Sequence, residues 1–331
     1  MALSMDVRDL VKSGSKMQED RRQPVAIAIV IEVDADDTLI DTLREALRPF
    51  TAGATVQVEV AIETTAVTLK PADAVIGVAG SGGAALAQAL AAARSSRAPV
   101  AVVAVGDEAS RTRLVDSLSQ PLADLLVGGS AEEIVDVKLA SWLADEVGSK
   151  RLALAHNFPF MRRAVATESV RATALQNALV GAAVFVPGAD MPIMTANQAK
   201  MLLQIAAAYG EKLGPERLRE LAAVVGGAFA LRTAARQVAG LVPVLGWAVK
   251  GGIGYGGTMA MGMAAIEYFE DGADLTDVVH KLRQSAGTLA EKLPRRRHRM
   301  TALPTPEPQP SQPQLPGLAD GTGAEAGAAR E

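Results

Sequence analysis

From Arg171 to Phe269 the chain is dominated by Ala, Gly, Val, Leu and Met, with few charges outside residues 211–220. A stretch this apolar is a poor surface-forming domain, because contiguous apolar surface seeks a bilayer, a partner or a core. Pro187, Gly188, Asp190, Arg232, Arg236 and Lys250 interrupt it. These interruptions spoil a clean set of membrane spans, each of which needs about 20 predominantly apolar residues. Function therefore depends on what this block packs against.

Composition narrows the field. The 331 residues allow two ordinary domains. With only 3% aromatic residues, Ala, Val and Leu must fill most of the core. The absence of cysteine excludes a disulfide framework, a thiolate metal site and a cysteine nucleophile. A net charge of -4 supplies no global attraction to nucleic acid. Residues 1–22 are polar and mixed in charge, read as a flexible or weakly helical arm without the apolar core of a signal peptide.

Residues 23–150 alternate apolar β-rich runs with helical patterns. Strands are expected at 25–33, 56–62, 73–79, 99–105 and 125–128, and helices at 37–50, 83–94, 108–119 and 130–147. Continuous apolar strands alternating with helices require a parallel sheet covered on both faces, hence a small doubly wound α/β domain. From residue 151 to 294 the pattern is helical, an all-α region with helices expected at 152–164, 170–186, 195–209, 215–230, 231–241 and 275–292 and a Gly-rich pair before Glu270. The basic run Arg295, Arg296, Arg297, His298 and Arg299 opens a tail, residues 295–331, whose Pro, Gly and Ala content predicts disorder.

The order and spacing of the α/β elements resemble the G domain of bacterial GTPases. Ala72 and Asp73 sit where those proteins open a strand with an Ala-Asp pair, and Ser130 and Ala131 match their last Ser-Ala turn. The departures are decisive. A triphosphate requires G-x-x-x-x-G-K-[ST] after the first strand, but here Asp34, Asp36 and Asp37 follow it. The guanine-reading Asn-Lys-x-Asp is replaced by Gly106, Asp107, Glu108 and Ala109. The expectation is a degenerate GTPase-like domain that does not hydrolyse GTP, with an independent flavodoxin-like domain as the alternative. Gly80, Ser81, Gly82 and Gly83 read as a turn at the sheet edge rather than an anion cradle. The aspartates read as a solvated loop with a helix N-cap rather than a Mg²⁺ site.

The apolar block carries a second resemblance. Gln176, Asn177, Pro187, Gly188, Asp190, Asn197, Gln198, Trp247, Lys250, Gly256, Thr258 and Gly262 belong to a motif string resembling the YcjF-type family of unknown function over about residues 155–270. That resemblance implies frequent association with GTPase domains and, in several members, the inner membrane. It brings no catalytic residue.

Gly254, Thr258 and Gly262 form a stripe at i, i+4, i+8 suited to close helix approach, in a membrane or in a tight soluble bundle. Arg232 and Arg236 share one helix face and, with Asp190 or Glu267 as partner, read as register-fixing ion pairs rather than a proton path. His156 reads as a packing residue at the domain junction, and His280 as an exposed one. Met191, Met194, Met201, Met259, Met261 and Met263 suggest an adaptable packing surface. The basic run fits anionic lipid, an acidic partner or simple solubilisation.

The candidate residues are thus Pro187, Gly188, Asp190, Arg232, Arg236, Lys250, Gly254, Thr258 and Gly262, assigned to structure or docking, with no catalytic, cofactor or metal role. The expected function is a non-enzymatic, membrane-associated or assembly protein at the cytoplasmic face of the membrane, or in the cytoplasm if the block is buried in an oligomer. A protein partner or self-association is expected, lipid is an option, and nucleic acid is not. The alternatives are a nucleotide-binding sensor and a soluble oligomeric scaffold.

Overall fold

A computed structural model of the chain describes residues 7–62, 67–80, 84–94, 98–118, 124–183, 190–211 and 246–271. Five parallel strands, β1 (Val25–Glu32), β2 (Ala54–Ala61), β3 (Ala74–Val78), β4 (Val100–Val105) and β5 (Asp124–Gly128), form one sheet in the order β2-β1-β3-β4-β5. Registers such as Ile29↔Ile76 and Val78↔Val103 stack β-branched residues across the sheet. Every residue of β3 is buried, as an unbroken apolar run demands of a strand covered on both faces. The sheet is doubly wound.

One face is covered by α2 (Asp37–Ala46) through Leu39 and Leu43, by a π-helical run (Glu133–Leu139) and by α5 (Ala140–Glu146). The other carries α3 (Ala84–Arg94) and α4 (Glu108–Ser117), with Leu86, Leu90 and Leu114 against Val75 and Val102. Asp36 caps α2, its Oδ1 accepting the Leu39 N–H at 2.8 Å, as the acidic loop led one to expect. The single helix expected over 130–147 begins with wider π turns. There Glu133 accepts from Gly129 at 3.0 Å and pairs with Lys138 at 2.9 Å.

The arm read from residues 1–22 contains a helix, α1 (Val7–Asp20), whose Met17 enters the core and which leads into the buried Arg21. The helical half contains α6 (Arg151–Asn157), α7 (Met161–Ala183), α8 (Asp190–Ala208) and α9 (Gly246–Asp271). Two boundaries differ from expectation. The helix expected over 152–164 breaks at Phe158, because Pro159 lacks an N–H and disfavours helical backbone in the residue before it. The polar residues Glu168 and Ser169, by contrast, are carried inside the continuous α7. The Gly-rich pair before Glu270 is one 26-residue helix, α9. Glycine lowers helix propensity by about 1 kcal/mol, and tertiary packing of Gly254 and Gly262 outweighs it.

A single apolar cluster contains Ile27 and Ile76 of the sheet, Leu139 and Leu143 beneath it, Leu154, Phe158 and Val165 of the helices, and Leu203 of α8. Polar ties run alongside. Lys150 Nζ meets Asp73 Oδ1 at 2.7 Å, and Asp73 Oδ2 accepts the Ala26 N–H at 2.9 Å. Thr51 Oγ1 donates to Asn157 Oδ1 at 2.6 Å, and the Asn157 carbonyl accepts the Phe50 N–H at 2.9 Å. Met194, Met201 and Met261 are buried, which places them in the packing role read from the sequence.

Pro187, Gly188, Met191's side chain, Arg232, Arg236, His280, residues 81–83, the helices expected at 215–230, 231–241 and 275–292, and the tail lie outside the described residues. Of Asp190 and Lys250 only the helical backbone is described. Among the described residues, no helix is long and apolar enough to cross a membrane.

Candidate functional site

The glycine stripe of α9 lies against α7. A Cβ added at Gly262 would sit 2.3 Å from Val170 Cγ2, and one at Gly254 would sit 2.7 Å from the Asn177 carbonyl oxygen. With no side chain at either position, α7 and α9 approach closely enough for Thr258, midway between the glycines, to reach the buried face of α7. Its hydroxyl donates to the Gly254 carbonyl at 2.7 Å. The same oxygen accepts Asn177 Nδ2 at 2.9 Å and Gln198 Nε2 at 3.0 Å. Asn177 Oδ1 in turn accepts Asn197 Nδ2 at 3.0 Å. Asn177 and Thr258 are fully buried and Gln198 nearly so.

This polar knot joins α7, α8 and α9 within an otherwise apolar packing of Val170, Leu202, Ile205, Met261 and Ile266. A hydroxyl donates one hydrogen and accepts at two lone pairs, and Thr258 uses both capacities, donating to Gly254 and accepting from Asn177 and Gln198. These bonds tie the three helices together at one register. Buried polar groups are costly when unpaired and specify a unique arrangement when satisfied. Below the knot, Tyr209 stacks on Phe269 with centroids 5.7 Å apart, and its hydroxyl donates to Glu270 Oε1 at 2.7 Å. Desolvation, followed by that bond to Glu270, holds the Tyr209 hydroxyl above its usual range. Arg163 pairs with the other oxygen of Glu270.

A different arrangement occupies the carboxyl edge of the sheet. In open parallel sheets ligands bind where the strand order reverses, here between β1 and β3. That edge holds acids of the chain itself. The nearly buried Glu32 accepts the Gly80 N–H through Oε2 at 3.0 Å. Gly80 lies so close to Asp34 that a Cβ there would be 2.3 Å from Asp34 Oδ1. The Gly80 N–H is therefore committed to a carboxylate of the chain itself.

A cleft of about 160 Å³ opens where α5 and the π-helical run meet α7, lined in part by Asp136, Asp145, Arg163, Glu168 and Arg171. Burial, then the adjacent Asp145 carboxylate, raises the Glu168 pKa, and Arg151 opposes the shift. Among the described residues, no group of three or more His, Asp or Glu is arranged to hold a metal ion.

Of the candidates read from the sequence, the structure brings Gly254, Thr258 and Gly262 together against α7. It joins to them Asn177, Asn197 and Gln198, which stood in the motif string without being singled out. Their signal was available: amides recurring on helices whose neighbours are otherwise Ala, Leu and Val. His156, read as a packing residue at the domain junction, accepts a hydrogen bond there from Arg21 Nη2 at 3.2 Å through Nδ1.

No curated protein matches the chain. Residues 149–295 match the family model described as Domain of unknown function (DUF697), in keeping with the YcjF-type motif string. Over those residues, which make up its helical half, the chain is similar to that family.

Proposed function

We propose that this protein is a non-enzymatic assembly protein in which a GTPase-derived α/β domain serves as a docking module. The helical domain meets partner helices or a lipid surface. The observation that carries this reading is the pairing of Glu32 with the Gly80 N–H at the β1/β3 edge. Two carboxylates in contact with the position of an incoming triphosphate would each repel it by several kcal/mol, about 4 kcal/mol per unit charge pair at 4 Å and intermediate dielectric. The buried Thr258 supports the same view, since the most organised polar group of the helical half is spent on register.

Exposed apolar side chains supply docking area. Leu175 and Leu179 lie one turn apart on the outer face of α7, with Ile193 on α8 and Tyr255 on α9 also exposed. Residues four apart share a helix face, so the two leucines form one ridge for a partner helix.

Calorimetry against GTP, GDP, ATP and ADP, followed by fractionation without detergent, tests the proposal. No nucleotide binding, with the intact protein recovered in an assembly or on membranes, is the expected result. Micromolar binding of any nucleotide that inorganic phosphate does not displace would sink the docking-module reading in favour of a sensor. A monodisperse monomer that ignores membranes would sink the assembly reading.

A further inference from the structure

Three helix ends converge on Arg21. It follows α1, and its Nη1 donates to the Glu211 carbonyl just beyond α8 at 3.1 Å. Its Nη2 donates to His156 in the last turn of α6 at 3.2 Å. Arg21 is only 7% exposed, and no described carboxylate pairs with it within ion-pair distance. Helix C-termini carry partial negative charge, which accounts for one guanidinium here. A second one remains. Arg162 stands in the first turn of α7, the end of a helix that disfavours cations. Its guanidinium has no described hydrogen-bond or ion-pair partner, and the Nε atoms of both Arg21 and Arg162 are buried without one.

The charges facing His156 are Arg21 and Arg22 from the end of α1 and Arg162 from α7, with Glu211 beyond α8 acting on Arg21. Burial, then Arg21, then Arg162 keep the imidazole pKa low. Buried cations are ordinarily paired, and this cluster holds more positive charge than its described surroundings answer.

We propose that Arg21 and Arg162 form a receptor for a phosphate-class oxyanion, either free phosphate or a phosphate monoester headgroup. Arg162 is half-buried, so the anion reaches it from solvent. A guanidinium carries paired N–H donors suited to oxyanion geometry, and neither Nε has a described partner. Arg21 stands behind, already fixed by Glu211 and His156, and the N-terminal end of α7 adds attraction for negative charge. His156 accepts from Arg21 at Nδ1, so its neutral ring carries its proton on Nε2.

The test uses the full-length protein with inorganic phosphate against chloride at matched ionic strength, read by calorimetry and by the NMR titration of His156. Phosphate is expected to bind at one site per chain and to raise the pKa of His156, because an anion offsets the surrounding guanidinia. Arg162→Gln is expected to weaken binding by about tenfold or more, the loss of a charge-assisted contact, and to move the His156 response to correspondingly higher phosphate concentration. Vesicles of phosphatidylcholine with and without phosphatidic acid separate the two sources. Binding to the phosphatidic acid vesicles but not to free phosphate assigns a headgroup, and binding to free phosphate assigns a soluble ligand. Absence of binding to both overturns the proposal. So does phosphate binding that survives Arg162→Gln unchanged or leaves His156 unmoved.

Discussion

Asn177 of α7 and Thr258 of α9, 81 positions apart in the chain, meet in a 2.9 Å bond that the amide donates and the hydroxyl accepts. The contact exists because Gly254, one turn before Thr258, lets the Asn177 backbone come close. One oxygen thus serves three helices, since Gln198 of α8 donates to it as well.

Replacing Thr258 by Val keeps the shape and removes that oxygen's capacity to accept. Two buried amide donors lose their acceptor, at about 1–3 kcal/mol for each unsatisfied group. Thr258→Val should lower stability by about 2–6 kcal/mol, whereas Thr258→Ser should stay within about 1.5 kcal/mol of the parent, the cost of one methyl group. Urea titrations followed by circular dichroism measure both. A Val variant as stable as the parent would contradict the assigned network.

The glycines of α9 should divide into two classes. Gly262→Ala drives a methyl group into Val170 and should cost about 1–3 kcal/mol. Gly256 and Gly252 meet nothing within 4 Å, so alanine there should gain up to about 1 kcal/mol from helix propensity. Thermal melts of the three single variants decide the matter, and equal effects would refute the close approach.

The carboxyl pair in the cleft sets a pH slope. The Glu168 pKa is raised in the folded protein, so the native state holds its proton more tightly than the unfolded chain does. Its contribution is intact below the unfolded pKa and fades as pH rises through the folded one. Glu168→Gln should flatten this acid-range decline and gain on the parent as pH rises. Denaturation midpoints from pH 4 to pH 8, a window of ordinary carboxyl titration (about 4.3 when unperturbed), reveal the crossing. A parallel offset at every pH would show that Glu168 does not titrate abnormally.

His156 works in the opposite direction. Its lowered pKa means that the unfolded chain takes up a proton first. Its stability contribution is present above the unfolded value of 6.5 and is lost as pH falls through the folded one. His156→Gln should reduce the acid sensitivity in that window, measured by the same midpoints without phosphate. An unchanged slope would place the charge cluster farther from His156 than the Arg21 contact indicates.

The sheet was legible because each buried strand is an unbroken apolar run bounded by turn chemistry, as at residues 74–78 and 100–105. The Asp36 cap was legible for the same local reason. The helical half was harder. Whether Gly254 breaks a helix or receives another depends on Asn177, far away in sequence, and only packing decides it. Pro159 was a local signal outweighed in the reading by the apolar residues on either side. The Arg21, His156 and Arg162 cluster was not legible, since three basic residues on three elements carry no common spacing.

The cluster that runs from Ile27 and Ile76 to Phe158 and Leu203 has a consequence for how the protein can change over generations. Volume lost at Phe158 must be recovered by neighbours drawn from both the sheet and the helices. A recombination event that exchanged residues 1–150 for an unrelated sheet would leave Leu154, Phe158 and Val165 facing a mismatched surface. The two halves are therefore obliged to drift as one lineage, each restricting the substitutions open to the other.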